Sequence, residues 1–411
     1  MHHPKQILIG GGGPVGLFCA LLLGRAGLPV RVFDVNSELQ QDPRAATTHP
    51  GTLEVLGQEL GLVEDMARVG LVTPIFQFWD RPTNTKIAEF DHALLKDDTK
   101  YPIVIQCEQY KTAKLILERL QVMDNVDVLF NHEVVAVRQD ADKVSVDVRG
   151  PHGVATHDGA YLIGADGGRS TVRKQTGVGF DGFTYPEKFL VLTTPFDFEA
   201  NRGYCHRTYI ADPEEWCNCF KVSADGPPGL WRTVFPADSN VPEEDILSDE
   251  SVHARLMKFF PRSEPYDIVH RNLYVIHQRV ASTFRLGRVL LAGDSAHLNN
   301  SIGGMGLNGG LQDGANAAEK LIQVLVDGAP ESQLDLYSLQ RRTVTKEFVQ
   351  QQTIANKKRL EAKDPEVRKQ NFEELAATAA DPAKARAFMR RTGMIDMQER
   401  AASITLEDAN V

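Results

Sequence analysis

The chain has 411 residues, of which 42% are hydrophobic and 24% charged, with a formal net charge of -10 at pH 7. That length can bury a large core in two intimately packed domains, and the acidic balance argues against nucleic acid as a partner. Of the five cysteines only Cys217 and Cys219 lie close together, in a C-x-C without a second cluster, so neither a metal nor a disulfide framework is expected. The apolar run 17–23 is too short to span a bilayer, and the start MHHPKQILIG lacks the layout of a secretory signal. A cytoplasmic chain with no membrane span is the expectation.

In chain order, residues 5–34 read as strand, turn, helix and strand. QILIG is a short apolar strand, GGGPVG the turn, LFCALLLGRAG a helix, and PVRVFD a second strand ending in an acid. Gly11, Gly13 and Gly16, with Pro14 and Val15 between them, form G-x-G-x-x-G, in which backbone amides and a helix N-terminus face a pyrophosphate. Asp34 follows Gly16 by 18 positions, where a carboxylate can accept hydrogen bonds from a ribose. The glycine spacing alone is weak evidence. Residues 304–309, GMGLNG, match it too, without the following strand and acid.

Residues 50–72 are expected to be helical, with an alternating strand beginning in VTPIFQFWD. Residues 106–121 read as a helix, and 126–150 as a β-meander turning near 140–142. AYLIGADGGRSTVRKQTGV then repeats the opening logic of apolar strand, acid, glycines and helix start. Residues 180–280 alternate and are rich in aromatics, which predicts a sheet with long turns. In GRVLLAGDSAHLNNSIGGMGLNGGLQDG (287–314) a strand runs into an acid and a glycine-crowded bend, a composition that suits close approach of a ligand to the backbone. Beyond 310 the pattern is helical.

These three glycine-acid elements, in this order, resemble the fingerprints of single-component flavoprotein aromatic hydroxylases, the p-hydroxybenzoate hydroxylase family. They are GGGPVG with Asp34, GADGGRSTVR (164–173), and GDSAH through GGMGLN (293–308). The resemblance implies an α/β fold: an FAD-binding domain of the glutathione-reductase, Rossmann-like type, an inserted mostly-β substrate domain and a helical C-terminus. It divides the chain into 1–72, 101–180 and 276–340 for FAD, 73–100 and 181–275 for substrate, and 341–411 as the helical region. The first fingerprint would hold the ADP half of FAD, Asp166 and Gly167 (with Arg173) would serve FAD and NAD(P)H together, and Gly293 and Asp294 would hold the ribityl side. Gly304, Gly306, Leu307 and Asn308 fall in the third fingerprint, and Arg44 and Gln106 match further family positions that contact FAD. For Asp294 and Asp166 helix capping is the plain alternative.

The resemblance further implies monooxygenation: NADH or NADPH, bound transiently, reduces tightly bound FAD, O2 adds to give a flavin C4a-hydroperoxide, and a small aromatic substrate attacks it in a dry pocket. A phenolic or hydroxypyridine-like ring, with or without a carboxyl group, is the expected substrate. Two family features are missing. Ser301 stands where family members usually have proline, and Thr73 stands where a histidine relays the phenol proton. No catalytic base is therefore assigned. His206, Arg207, Tyr209, Trp216, Trp231 and Arg232 are candidate substrate contacts, with Tyr209, Trp216, Arg232 and Ser301 put forward. Trp231 and Arg232 must point to opposite faces of one strand, and an arginine facing a closed pocket implies an anionic substrate. A reductase or dehydrogenase of the same fold and an FAD-free binding protein resembling Rab GDP-dissociation inhibitors are the alternatives. A homodimer is left open.

Overall fold

ILIG at Ile7–Gly10 and YLIG at Tyr161–Gly164 are buried at all four positions, the mark of central strands covered on both faces. They pair in parallel at the middle of a six-stranded sheet with the order Arg285–Leu286, Val289–Leu291, Tyr161–Gly164, Ile7–Gly10, Val30–Phe33, Val126–Leu129. The three glycine-acid elements therefore leave the same edge of one sheet. The computed structural model describes residues 5–41, 45–58 and 61–410.

Pro14–Arg25 and Met305–Leu325 pack against each other on this sheet, and glycines set how closely. A Cβ on Gly310 would come within 2.8 Å of Val15 Cγ2, and one on Gly314 within 2.9 Å of Cys19 Sγ. The contact thus draws both helix N-termini to the sheet edge where the fingerprints converge.

The second body is an eight-stranded sheet, antiparallel except where Arg207–Ala211 runs parallel to Ile75–Asp80. Its long strands are Phe180–Thr194, Leu230–Asp238 and His270–Ala281. One face packs on a core that includes Trp231, Phe235 and Phe198, and the other carries Phe76, Phe189, Tyr209 and Trp216. Helices Pro365–Ala380 and Pro382–Thr392 close the latter, adding Leu375 and Met389 to it. Arg386 ties them to the rest of the chain through two 2.7 Å hydrogen bonds to the buried Asp98 carboxylate.

Three expectations for secondary structure need correction. Residues 50–72 are not one helix: Pro50–Leu56 and Leu62–Val69 are separated by Gly61 at φ +68°, and Leu71–Thr73 is a strand. The helix expected from 106 starts at Gln109, because Val104–Gln106 pairs with Thr47–Thr48 and Leu71–Thr73. Val126–Leu129 joins the parallel sheet, so the meander is instead Glu133–Gln139, Val144–Gly150 and Gly153–Gly159. No helix among the described residues is long and apolar enough to cross a membrane.

Candidate active site

A cavity of about 820 Å³ runs from the first glycine turn to the eight-stranded sheet. Gly11 sits at φ +107°, and a Cβ there would fall 2.2 Å from Ala165 O. Gly16 is equally constrained: its Cβ would lie 1.9 Å from Gly11 O, which is why it belongs to the turn without lining the cavity. A Cβ on Gly13 would meet no protein atom within 4 Å, since this residue borders the open space. Pro14 opens the helix, and no side chain caps its N-terminus, so backbone N–H groups face the cavity rim. Asp34 accepts from Gly12 N at 2.6 Å and from Asn36 N at 2.8 Å, and so fixes the turn while bordering the cavity.

The second fingerprint does two jobs. Asp166 accepts from Val172 N at 3.0 Å and from Ser295 Oγ at 3.0 Å, so it supports a helix start and joins the second fingerprint to the third. Asp166 and Gly167 also line the cavity. Arg173 does not: its guanidinium donates to Ser295 O and Gly168 O at 2.8 Å and lies 3.7 Å over the Phe180 ring. Its geometry is that of a buried clamp.

In the third fingerprint, Gly293 and the exposed Asp294 border the cavity beside Gly304, Gly306 and Leu307 at the N-terminus of Met305–Leu325. Gly304 supplies the left-handed φ of +68° that turns the chain into this helix, again without a side-chain cap. Asn308 is fully buried behind that turn. It accepts from His49 N at 2.8 Å and donates to Thr47 O at 2.8 Å, so it holds the loop without reaching the cavity. Below it, buried Asp313 accepts from Gly293 N at 3.1 Å and pairs with His297 Nε2 at 2.8 Å and Arg341 Nε at 2.7 Å. Burial raises the Asp313 pKa, and the contacts with His297 and Arg341 outweigh it, so the carboxyl is held below its ordinary range.

The opposite wall belongs to the eight-stranded sheet. Asn272, Val191 and Val234 lie in register across three strands, and Tyr274, Arg232, Phe220 and Val222 extend the same surface. Arg232 is buried here, while Trp231 packs into the core on the other face, as strand alternation requires. Burial lowers the Arg232 pKa, against the charge of nearby Glu108. Ser301 reaches this wall too, with its Oγ 3.2 Å from Tyr274 Oη. Burial raises the Tyr274 pKa, and the contacts with Ser301 and Arg232 oppose the shift.

The structure does not bring Tyr209 or Trp216 to the cavity. Tyr209 stacks on Phe78 at 5.2 Å and accepts from Arg207 Nε, and Trp216 packs edge-on against Phe189 at 5.0 Å. Both are core residues, because C-terminal helices cover that part of the sheet. His206 pairs with Glu199 at 3.1 Å, away from the cavity. Thr73 is buried on a short strand and does not line the cavity either. Arg44 lies outside the described residues.

Residues 5–352 match the family described as FAD binding domain. The chain belongs to this family. It is 35% identical to para-nitrophenol 4-monooxygenase of Pseudomonas sp. (strain WBC-3), over 93% of this chain and 94% of that protein. It is 32% identical to 6-hydroxy-3-succinoylpyridine 3-monooxygenase HspB of Pseudomonas putida, over 89% and 91%. The crystal structure of p-nitrophenol 4-monooxygenase PnpA from Pseudomonas putida DLL-E4 superposes with a TM-score of 0.90 at 32% identity, covering 98% of this chain and all of that one. The chain is thus an FAD-dependent aromatic monooxygenase, and NAD(P)H as co-substrate is typical of the family.

FAD fits the residues present. Gln106 lines the cavity with a buried Nε2 that has no hydrogen-bond partner among the described residues, while its Oε1 accepts from Thr47 at 2.8 Å. A buried amide left with a free donor asks for an acceptor from a ligand. Two uncapped helix N-termini on the same cavity supply the positive ends that a pyrophosphate and an electron-rich ring require. Sequence reasoning missed Tyr274, Asn272 and Tyr110, all on the cavity wall. Nothing local marks Tyr274 and Asn272, because only the pairing of distant strands brings them to this face, and Tyr110 comes from the first turn of the helix Gln109–Leu120.

Proposed function

We propose that this monooxygenase hydroxylates a phenol carrying an electron-withdrawing or anionic substituent, with 4-nitrophenol as the first candidate and hydroxypyridines as the second. The observation that carries the reading is Arg232, a buried cation on the cavity wall beside Tyr274. A cation and a hydroxyl converging on one pocket favour the phenolate form of the substrate, and a phenolate ring is the better nucleophile at carbon. Val191, Phe220, Val222 and Val234 supply apolar surface that keeps water from the ring.

For the cofactor, the amides of Gly11–Gly16 would hold the pyrophosphate, Asp34 a ribose, Asp294 the ribityl hydroxyls, and Gln106 with the 304–307 turn the ring system. Bound FAD supplies the two-electron chemistry that takes reducing equivalents from NAD(P)H and activates O2. The division into an FAD domain (1–72, 101–180, 276–340), a substrate domain (73–100, 181–275) and a helical region (341–411) belongs to the same proposal, as do cytoplasmic location and a homodimer.

The test is purification of the yellow protein followed by NAD(P)H oxidation with 4-nitrophenol, hydroxypyridines and carboxylated phenols under labelled oxygen gas. One labelled oxygen atom in the product, with matched NAD(P)H and O2 consumption, is the expected result. Substrate-dependent NAD(P)H oxidation without labelled product would favour the reductase reading.

A further inference from the structure

Neighbouring residues of the 301–305 loop line two different cavities. Ser301 and Gly304 border the large one, Ile302 and Gly303 a second, small one, and Met305 both. The small cavity is walled by Phe76, Phe78, Tyr209 and Phe388, with Arg207 among them and no aspartate or glutamate. Its free volume is about 20 Å³, enough for one water-sized or slightly larger occupant.

Arg207 is only 4% exposed. Its Nε donates to Tyr209 Oη at 3.0 Å, but its two terminal nitrogens make no hydrogen bond and no ion pair with any described residue. A guanidinium stays charged at every physiological pH and carries five N–H donors, so four of them and the whole charge lack an anionic partner. The Phe76 and Tyr209 rings, 4.9 and 5.5 Å from the guanidinium carbon, compensate in part. Other polar groups of the wall are engaged elsewhere: Asn356 Nδ2 donates to Ile302 O at 3.3 Å and Thr392 Oγ1 to Phe388 O at 3.0 Å.

We propose that Arg207 anchors a binding site for one halide-sized monovalent anion in this small cavity. Charge demands an anion, the volume limits its size, and the aromatic wall favours one that is weakly hydrated over a phosphate or a carboxylate-bearing metabolite. The excess positive potential is felt nearby. Burial, and then the Arg207 charge, keeps both His49 and His92 neutral, with His92 lowered to about 4. His49 Nε2 in turn donates to Gly303 O at 2.7 Å. An anion at Arg207 would therefore sit against the same loop that shapes the FAD cavity.

Crystals of the FAD-loaded enzyme grown in sodium bromide should show an anomalous peak in contact with the Arg207 guanidinium, a result that needs no variant. In solution the FAD-loaded enzyme should melt at a higher temperature in sodium chloride or bromide than in sodium gluconate of equal ionic strength, and Arg207→Met should lose that difference. No peak at Arg207 would overturn the site. A peak without a halide-dependent melting shift would mean binding at crystal concentration only and would overturn it too. A shift that persists unchanged in folded Arg207→Met would assign the halide effect elsewhere and equally sink the proposal.

Discussion

The two walls of the large cavity are made from different materials. On the fingerprint side the surface is mostly backbone: Gly11, Gly13, Gly167, Gly293 and Gly304 present amides, and the acids Asp34 and Asp166 fix the turns that present them. On the sheet side the surface is side chains, Arg232, Tyr274, Asn272 and Phe220, carried on strands paired in one register. A backbone wall leaves little room for added atoms where it packs tightly, as at Gly11 and Gly304, but is indifferent to what the substrate is. A side-chain wall can be changed residue by residue without losing the fold. The first suits a cofactor common to the family, and the second suits a ring that differs from member to member.

The sharpest way to break this contrast is to add one carbon to the backbone wall. Gly11→Ala puts a Cβ 2.2 Å from Ala165 O at φ +107°. Strain and overpacking together should cost about 3 kcal/mol or more. FAD content after gel filtration and melting temperature should both fall. A yellow Gly11→Ala protein with unaltered stability would mean that the turn does not have the close packing described.

A second experiment uses acid to separate the halves. His92 lies against Phe76 of the eight-stranded sheet, its Nδ1 donating to Pro74 O at 2.8 Å, and its pKa is lowered to about 4 by burial and the Arg207 charge. Its neutral form is fully favoured above the ordinary histidine pKa. Between there and about 4 the unfolded chain takes up a proton that the folded chain refuses, so stability falls as pH falls, by about 3 kcal/mol in all. His92→Asn keeps a donor for Pro74 O but cannot titrate, and its melting temperature should fall less steeply below pH 6.5. Parallel pH profiles in the two proteins would remove His92 as the cause.

On the side-chain wall, Arg232→Met should leave FAD content unchanged and raise KM for an anionic phenol by about 10- to 100-fold, the worth of a charge-assisted hydrogen bond. For a neutral phenol the rise should be small. Loss of FAD from Arg232→Met would show that the two walls are not independent.

The same contrast explains what could be read before the fold was known. A backbone wall must be written locally, as glycines at fixed offsets from an acid, so Gly11, Asp34, Asp166 and Asp294 were legible along with the strand-turn-helix that carries them. Arg173 and Asn308 were legible as motif members, yet their side chains clamp the loops from behind. The side-chain wall is written in register. Asn272 meets Val191 and Val234 only because three strands 38 or more positions apart pair as they do. Tyr209 and Trp216 stood out in the sequence where Tyr274 did not, and only the cover of the C-terminal helices makes the first two core. Arg232 was recoverable because alternation separates it from Trp231 whatever the register.

The smallest expected effect lies at Ser301, where the two walls meet. The family usually has proline here, and Ser301 N donates no backbone hydrogen bond among the described residues, so Ser301→Pro removes none. Its gain through the unfolded state is about 0.4 to 1 kcal/mol. Against that stands the 3.2 Å contact with Tyr274 Oη, a hydrogen bond worth about 0.5 to 1.5 kcal/mol. The two nearly cancel, so melting temperature should hardly move. Function should separate them. Ser301→Ala removes only the hydroxyl and should raise substrate KM by roughly twofold to fivefold, because Tyr274 loses the partner that orients it. Ser301→Pro should show the same rise, and in addition a higher ratio of hydroxylated product to NAD(P)H consumed, since a stiffer loop excludes water better. The comparison of Pro with Ala isolates stiffness from hydrogen bonding. Equal product ratios in the two variants would mean that the loop is already rigid, held by Asn356, His49 and Asn300, and that the serine matters only through its hydroxyl.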